Sequence, residues 1–389
     1  MKKEELGESP VVIVEEGSVG LVETRYYTFA DLPDKFVLEN GLELGPITVA
    51  YETYGTLNKT RDNVILVEHA LTASSHAAGK NSPEDKNPGW WDVMIGPGKA
   101  FDTDKYFVIC SNILGSCYGT TGPSSVNSQT GKPYGSSFPV VSIRDIVRVQ
   151  YQLLRHLGVE RIRSIAGGSM GGMQAVEWAL QYPDMVDSLL LIATAARSSP
   201  QSIAMHKVGI QAIMNDLNWN GGDYYGNDLP EKGLSIARML GHITYLSDGW
   251  LWEKFGRKHD DSVKIKSSLD SKFEIEKYLE YQGSKFVKRF DANSYIYIMR
   301  CLDLYDAGEG YVNLNESFKR IKCKKVLVAT YTSDWLYPSY QSSELADAFN
   351  ANNIDVSYNE IDSPYGHDSF LIDYKKLNPL IDDILNSLT

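Results

Sequence analysis

The sequence predicts an α/β fold: a mostly parallel central sheet flanked by helices, with a helical insertion late in the chain. Three observations carry that expectation. Apolar runs of strand length recur at residues 63–71, 106–114, 162–166 and 186–193, and continuous apolar runs suit parallel strands covered on both faces. Segments with helical spacing of apolar residues fall between them, and that alternation is the mark of a parallel sheet with crossover helices. The rhythm stops after Arg197, and the strand pattern resumes only at 325–330 and 356–361.

The early stretch from about residue 24 to 60 is short and strand-like, 47–53 most clearly. Residues 142–157 place Ile143, Ile146, Val147, Tyr151 and Leu154 on one helical face, and Gly158 stands where a helix stop is expected. A second helix, 172–181, is closed by Pro183, and a last one runs over 374–388. The expected organisation is a core of 1–196 and 321–389 around an insertion, 197–320. Insertions of this kind act as lids over a site.

With 389 residues, 43% hydrophobic and 23% charged, the chain is long enough for a large core and has the balance of a globular protein. Its net charge of −12 argues against nucleic acid, which demands a basic face. The four cysteines, Cys110, Cys117, Cys301 and Cys323, form no C-x-x-C pair and no zinc-like grouping with histidine. No metal site is expected. Residues 1–11 are charged and lack an apolar signal core, and no apolar run has membrane-spanning length. A cytoplasmic location with reduced thiols is the expectation, with no membrane partner.

The chemistry concentrates at Gly167-Gly168-Ser169-Met170-Gly171. This is G-x-S-x-G between an expected strand and an expected helix, the context of a nucleophile elbow. Such an elbow needs an acid and then a histidine further along the chain. Asp334 follows the strand at 325–330, and His367 follows the strand at 356–361. Taken singly, Asp334 reads as a turn residue and His367 as a loop histidine. In order, each past a strand end, the three read as nucleophile, orienting acid and general base. Asp362 and Asp368 are the competing carboxylates. The oxyanion hole calls for the backbone N–H of Met170 and that of Leu71, or its neighbour Thr72, in the loop after the first core strand. These features predict the α/β-hydrolase fold. They leave open whether water or another hydroxyl accepts the acyl group.

The wording of the motifs resembles the homoserine O-acetyltransferase family. The matching stretches are HALT at 69–72, PGWW at 88–91, GTTGPSS at 119–125, GGSMGGMQ at 167–174, ARMLGHITY at 237–245, DWLYP at 334–338 and GHDSF at 366–370. The resemblance spans nearly the whole chain. It implies acetyl transfer from acetyl-CoA, a co-substrate and not a resident cofactor, to the hydroxyl of L-homoserine in methionine biosynthesis. It implies an acetyl-Ser169 intermediate and a homodimer paired through the insertion. It also implies that Arg238 and Asp368 hold the amino-acid substrate; a guanidinium suits the carboxylate and a carboxylate the ammonium. Related succinyl transferases carry arginine at the position of Leu336, so Leu336 favours acetyl. The segment Thr72-Ala73-Ser74-Ser75 departs from the family's usual glycine and aspartate. The remaining alternatives are homoserine O-succinyl transfer, serine O-acetyl transfer and small-ester hydrolysis.

Among smaller signals, Trp90-Trp91 suits either a pocket wall or the core. Cys117, His69 and His76 read as structural, and His242 shares a helical face with Arg238.

Overall fold

The computed structural model describes residues 17–31, 33–259 and 272–388. The charged stretch 1–11 lies outside the described residues. The strands are β1 (Arg25–Phe29), β2 (Phe36–Val37), β3 (Glu43–Leu44), β4 (Ile47–Tyr54), β5 (Val64–Glu68), β6 (Phe107–Ser111), β7 (Ser164–Gly168), β8 (Ser188–Ile192), β9 (Lys325–Tyr331) and β10 (Asp355–Ile361). Eight of them form one sheet in the order β1-β4-β6-β5-β7-β8-β9-β10, and β2 pairs with β3 apart from it. From β6 to β10 all pairings are parallel; β4 runs antiparallel to both its neighbours.

The sheet is buried on both faces because successive residues of its apolar strands enter opposite cores. Leu66, Ile165 and Leu191 join one cluster. Ile65, Val67, Ala166 and Leu190 join the other. The helices are α1 (Ile143–His156), α2 (Met170–Gln181), α3 (Pro200–Met214), α4 (Glu231–Tyr245), α5 (Asp248–Phe255), α6 (Glu274–Phe286), α7 (Ala292–Leu304), α8 (Leu314–Phe318), α9 (Ser339–Ala351), α10 (Ser369–Ile372) and α11 (Tyr374–Asn386). Ser142 and Asp145 close a reciprocal capping box on α1, which fixes its start.

Two expected boundaries move at the chemical centre. The strand at 162–166 becomes Ser164–Gly168, and Ile162 makes only an isolated bridge to Val186. The helix expected from 172 begins at Met170. Glycines weaken a strand or helix taken alone, but here their lack of side chains lets strand, elbow and helix follow one another without a spacer.

Helices α3 to α8 lie between β8 and β9. Their base is pinned where the chain leaves and returns: Arg197 Nε stands 3.1 Å from Asp306 Oδ2, and the Ala307 N–H donates to the Ala196 carbonyl at 2.9 Å. No helix among the described residues is long and apolar enough to cross a membrane.

The chain passes from β5 to β6 on one side of the sheet and then back to β7 on the other. The loops after β5 and β7 therefore diverge, and a crevice opens at the carboxyl ends of these strands, the usual ligand position in such sheets.

Candidate active site

Ser169 sits on the turn between β7 and α2 with φ +57° and ψ −124°, a strained conformation for a residue with a side chain. Its surroundings enforce that turn. A Cβ on Gly167 would lie 2.2 Å from the backbone of Gly171, and one on Gly171 would lie 2.1 Å from the Glu68 carbonyl oxygen. Neither backbone can retreat, so the glycines of the motif are steric requirements.

The loops after β9 and β10 bring Asp334 and His367 together. His367 Nδ1 is 2.8 Å from Asp334 Oδ2, and both side chains are buried. The other oxygen, Asp334 Oδ1, accepts the N–H groups of Leu336 at 3.0 Å and Tyr337 at 2.9 Å. Ser169 and His367 line one cavity of about 160 Å³. Among the described residues no hydrogen bond joins them; that contact often tightens only with substrate in place. Asp362, the first competitor, is exposed and accepts from Thr332 instead.

Met170 opens α2, so its N–H has no intrahelical acceptor. Among the described residues no hydrogen bond engages it or the N–H of Leu71. The β5 loop that carries Leu71 is held by the neutral ring of His69. Its Nδ1–H donates to the Ala70 carbonyl at 2.8 Å, and Nε2 accepts the Ile113 N–H at 3.1 Å. Burial pushes the His69 pKa down to about 4, so it stays uncharged.

Arg238, from α4, and Asp368, beside the histidine, line the same cavity. No carboxylate lies within 4 Å of the Arg238 guanidinium among the described residues. It packs 4.8 Å over Phe286 and donates to the Thr72 hydroxyl at 3.3 Å. Burial pushes the Asp368 carboxyl up to about 6, while His367 and Arg238 oppose that shift. The cavity thus holds a guanidinium and a carboxylate that the protein does not pair with each other, beside a mostly apolar wall that includes Leu336.

The tryptophans divide their roles: Trp90 lines the cavity, and Trp91 is fully buried against it at 5.2 Å. Cys117 accepts the Asp291 N–H, and burial holds its thiol up at about 12. Sequence reasoning missed His206, which lines the cavity with Nδ1 2.6 Å from Asp303 Oδ1. The two residues stand on α3 and α7, and no local pattern links them. It also gave Tyr337 no role, although its motif was legible.

A strained serine after β7, a bonded histidine–aspartate pair after β10 and β9, and N–H groups after β5 and β7 without an acceptor among the described residues together define an α/β hydrolase by fold and site. Residues 63–374 match the α/β hydrolase fold family model, and the chain belongs to that family. More narrowly, it belongs to the homoserine O-acetyltransferase family. It is 52% identical over 375 residues to the homoserine O-acetyltransferase of Deferribacter desulfuricans, covering 96% of this chain and 98% of that one. It is 52% identical over 371 residues to that of Carboxydothermus hydrogenoformans, covering 95% and 96%. The crystal structure of homoserine O-acetyltransferase from Bacillus anthracis superposes with a TM-score of 0.88 at 32% identity, over 94% of this chain and 98% of that one. Esterase E22 superposes at 0.86 with 32% identity, over 94% and 100%.

Proposed function

We propose that this chain moves an acetyl group from acetyl-CoA to the side-chain hydroxyl of L-homoserine through an acetyl-Ser169 intermediate. The carrying observation is a single cavity that holds Ser169 and His367 together with an unpaired guanidinium and a carboxylate, Arg238 and Asp368. A small zwitterion complements that pair: its carboxylate faces Arg238 and its ammonium faces Asp368. Membership in the homoserine O-acetyltransferase family supports the same reading.

In the first half-reaction His367 Nε2 takes the Ser169 proton as Oγ attacks the thioester carbonyl. The Leu71 and Met170 N–H groups hold the oxyanion, and collapse expels the thiolate, which takes the proton from His367. In the second, the homoserine hydroxyl gives its proton to His367 and attacks the acetyl ester. Ser169 leaves and recovers a proton from the same imidazolium. Asp334 holds the ring throughout. Leu336 offers no cation for the free carboxylate of a succinyl group, which favours acetyl as donor.

The same cavity supports reading the insertion as a lid, since Met205, Arg238, Tyr245, Tyr295 and Met299 all come from α3, α4 and α7. Apolar exposure on the insertion favours a homodimer through it: Val208 on α3, Leu217 in the turn that follows, Ile236 and Ile243 on α4 and Trp252 on α5 stand open to solvent. A cytoplasmic place in methionine biosynthesis completes the reading.

The test follows CoA release from acetyl-CoA and succinyl-CoA with homoserine, with serine and with no acceptor, using Ser169→Ala as control. Release from acetyl-CoA that depends on homoserine and vanishes in the control supports the transferase. Equal release without an acceptor makes water the acceptor. The chain is then a small-ester hydrolase, a reading that the likeness to esterase E22 favours.

A further inference from the structure

Tyr337 bonds one member of the proposed triad, packs against a second and shares a cavity with the third. Its backbone N–H donates to Asp334 Oδ1 at 2.9 Å. Its ring lies 5.1 Å from that of His367, tilted by 32°. The residue lines the cavity that Ser169 also lines, and it is 1% exposed. Yet the phenol oxygen, fully buried, has no hydrogen-bond partner among the described residues. A buried hydroxyl without a partner is costly, and in a native structure it asks for a reason.

We propose that the Tyr337 hydroxyl is a catalytic hydrogen-bond donor to Ser169 Oγ, engaged when that oxygen carries charge. The proposal rests on the acyl-transfer reading above. Negative charge gathers on Oγ twice in each turnover, as it attacks the thioester and as it leaves the acetyl ester. The backbone donors of Leu71 and Met170 address the carbonyl oxygen and do nothing for Oγ. His367 delivers the proton to Oγ, and the phenol stands against His367. It therefore neighbours the group that exchanges the proton with Oγ.

The phenol moves no proton. The Ser169 proton still passes to His367 Nε2 and on to the departing sulfur; the acceptor's proton returns to Oγ by the same nitrogen. Tyr337 must only remain a donor, and its surroundings ensure that. Burial raises its pKa far above neutrality, and the negative field of Asp334 adds to this; the Ser169 hydroxyl is the group that works the other way. Both residues line the one cavity, and among the described residues no hydrogen bond joins their hydroxyls, as suits a contact made only when Oγ is charged.

The discriminating variant is Tyr337→Phe, which keeps the ring on His367 and the N–H to Asp334 and removes one unpartnered oxygen. Two readouts are needed. One is acetyl transfer from acetyl-CoA to homoserine; the other is the nitrophenolate burst with p-nitrophenyl acetate, which requires neither CoA nor homoserine. Loss of a donor to a charged centre lowers both rate constants roughly tenfold to a hundredfold, with KM unchanged. The thermal midpoint holds or rises, and the acid limb of the pH–rate profile, which belongs to His367, stays in place. Fluorotyrosine at position 337, of the same shape and a stronger donor, keeps or raises the rate even if the phenylalanine variant folds poorly. A burst in Tyr337→Phe as fast as wild type overturns the proposal. A wild-type enzyme that gives the burst but acetylates no homoserine overturns the transferase reading instead, and the burst still decides the role of Tyr337.

Discussion

Asp334 holds His367 by one oxygen and is itself held by the other. Oδ2 takes the imidazole Nδ1–H at 2.8 Å, while Oδ1 takes the N–H groups of Leu336 and Tyr337. The carboxylate cannot rotate without breaking the turn that carries it. Nε2 is then the only ring nitrogen free to meet Ser169. Asp334→Asn presents an amide to a ring that needs an acceptor, and the imidazole turns to the wrong tautomer. The expected result is a fall in kcat of roughly 10⁴-fold with substrate KM and the thermal midpoint little changed. Initial rates and a melting curve check it. A variant that retains its rate removes Asp334 from the mechanism.

Arg238 is a cation between aromatic faces, 4.8 Å over Phe286 and 5.7 Å over Tyr245, with no carboxylate within 4 Å among the described residues. If it grips the acceptor's carboxylate, Arg238→Ala raises the KM for homoserine and lowers kcat/KM by roughly 10- to 100-fold. Arg238→Lys restores part of it, because an ammonium makes one contact where the guanidinium makes two. The p-nitrophenyl acetate burst stays unchanged in both. A slowed burst assigns Arg238 to acylation and not to the acceptor.

The contrast between Ser169 and His206 shows what the sequence exposes. The elbow is legible because its constraints are local: a Cβ on Gly167 or Gly171 meets backbone only a few residues or one strand away. Asp334 and His367 are legible because the fold orders its catalytic loops along the chain. The parallel strands β5, β7 and β8 announce themselves by unbroken apolar runs. The pairing of His206 with Asp303 joins two insertion helices 97 residues apart, and nothing in either segment signals it. The vacant phenol of Tyr337 is invisible for a further reason: an unmade hydrogen bond is a property of packing, not of a motif.

Two ionisations in the cavity separate donor chemistry from acceptor binding. Burial depresses His367, but the charge of Asp334 and its hydrogen bond, with Asp368 adding, raise it above 6.5. If His367 is the base it works only when neutral, so kcat/KM for the acyl donor falls as pH drops through a value above 6.5. Asp368, pushed by burial to about 6, must be ionised to hold an ammonium. The KM for homoserine therefore rises as pH drops through about 6, below the point where acylation has begun to slow. Separate pH profiles for the two substrates check both signs. A donor profile flat down to pH 6 contradicts the raised His367, and an acceptor KM flat through that value removes Asp368 from ammonium binding.

Glu68 gives the last prediction, on stability. It ends β5 with its side chain fully buried; Oε2 accepts from Gln150 Nε2 at 2.7 Å, and Oε1 has no partner among the described residues. Gln150 in turn bonds Trp178 and Gln174, and Gln174 Nε2 reaches the carbonyls of His69 and Met170 at 3.1 and 3.4 Å. The network thus ends on the two segments that carry the candidate oxyanion donors. Burial pushes the Glu68 carboxyl up from 4.5 to about 8, against the hydrogen bond from Gln150. Between those values the folded chain keeps a proton that the unfolded chain releases. Stability is therefore full below pH 4.5 as far as this group is concerned, and declines by on the order of 1 kcal/mol per pH unit up to about 8. Glu68→Gln has nearly the same shape, still offers an oxygen to Gln150 and cannot ionise. Its melting midpoint should match or fall slightly below wild type in acid and exceed it above neutrality, with the difference widening as pH rises toward 8. Chemical denaturation at a series of pH values measures this directly. Parallel curves for the two proteins would mean that Glu68 is ionised in the folded state at neutral pH, and that the network stabilises a charge instead of a proton.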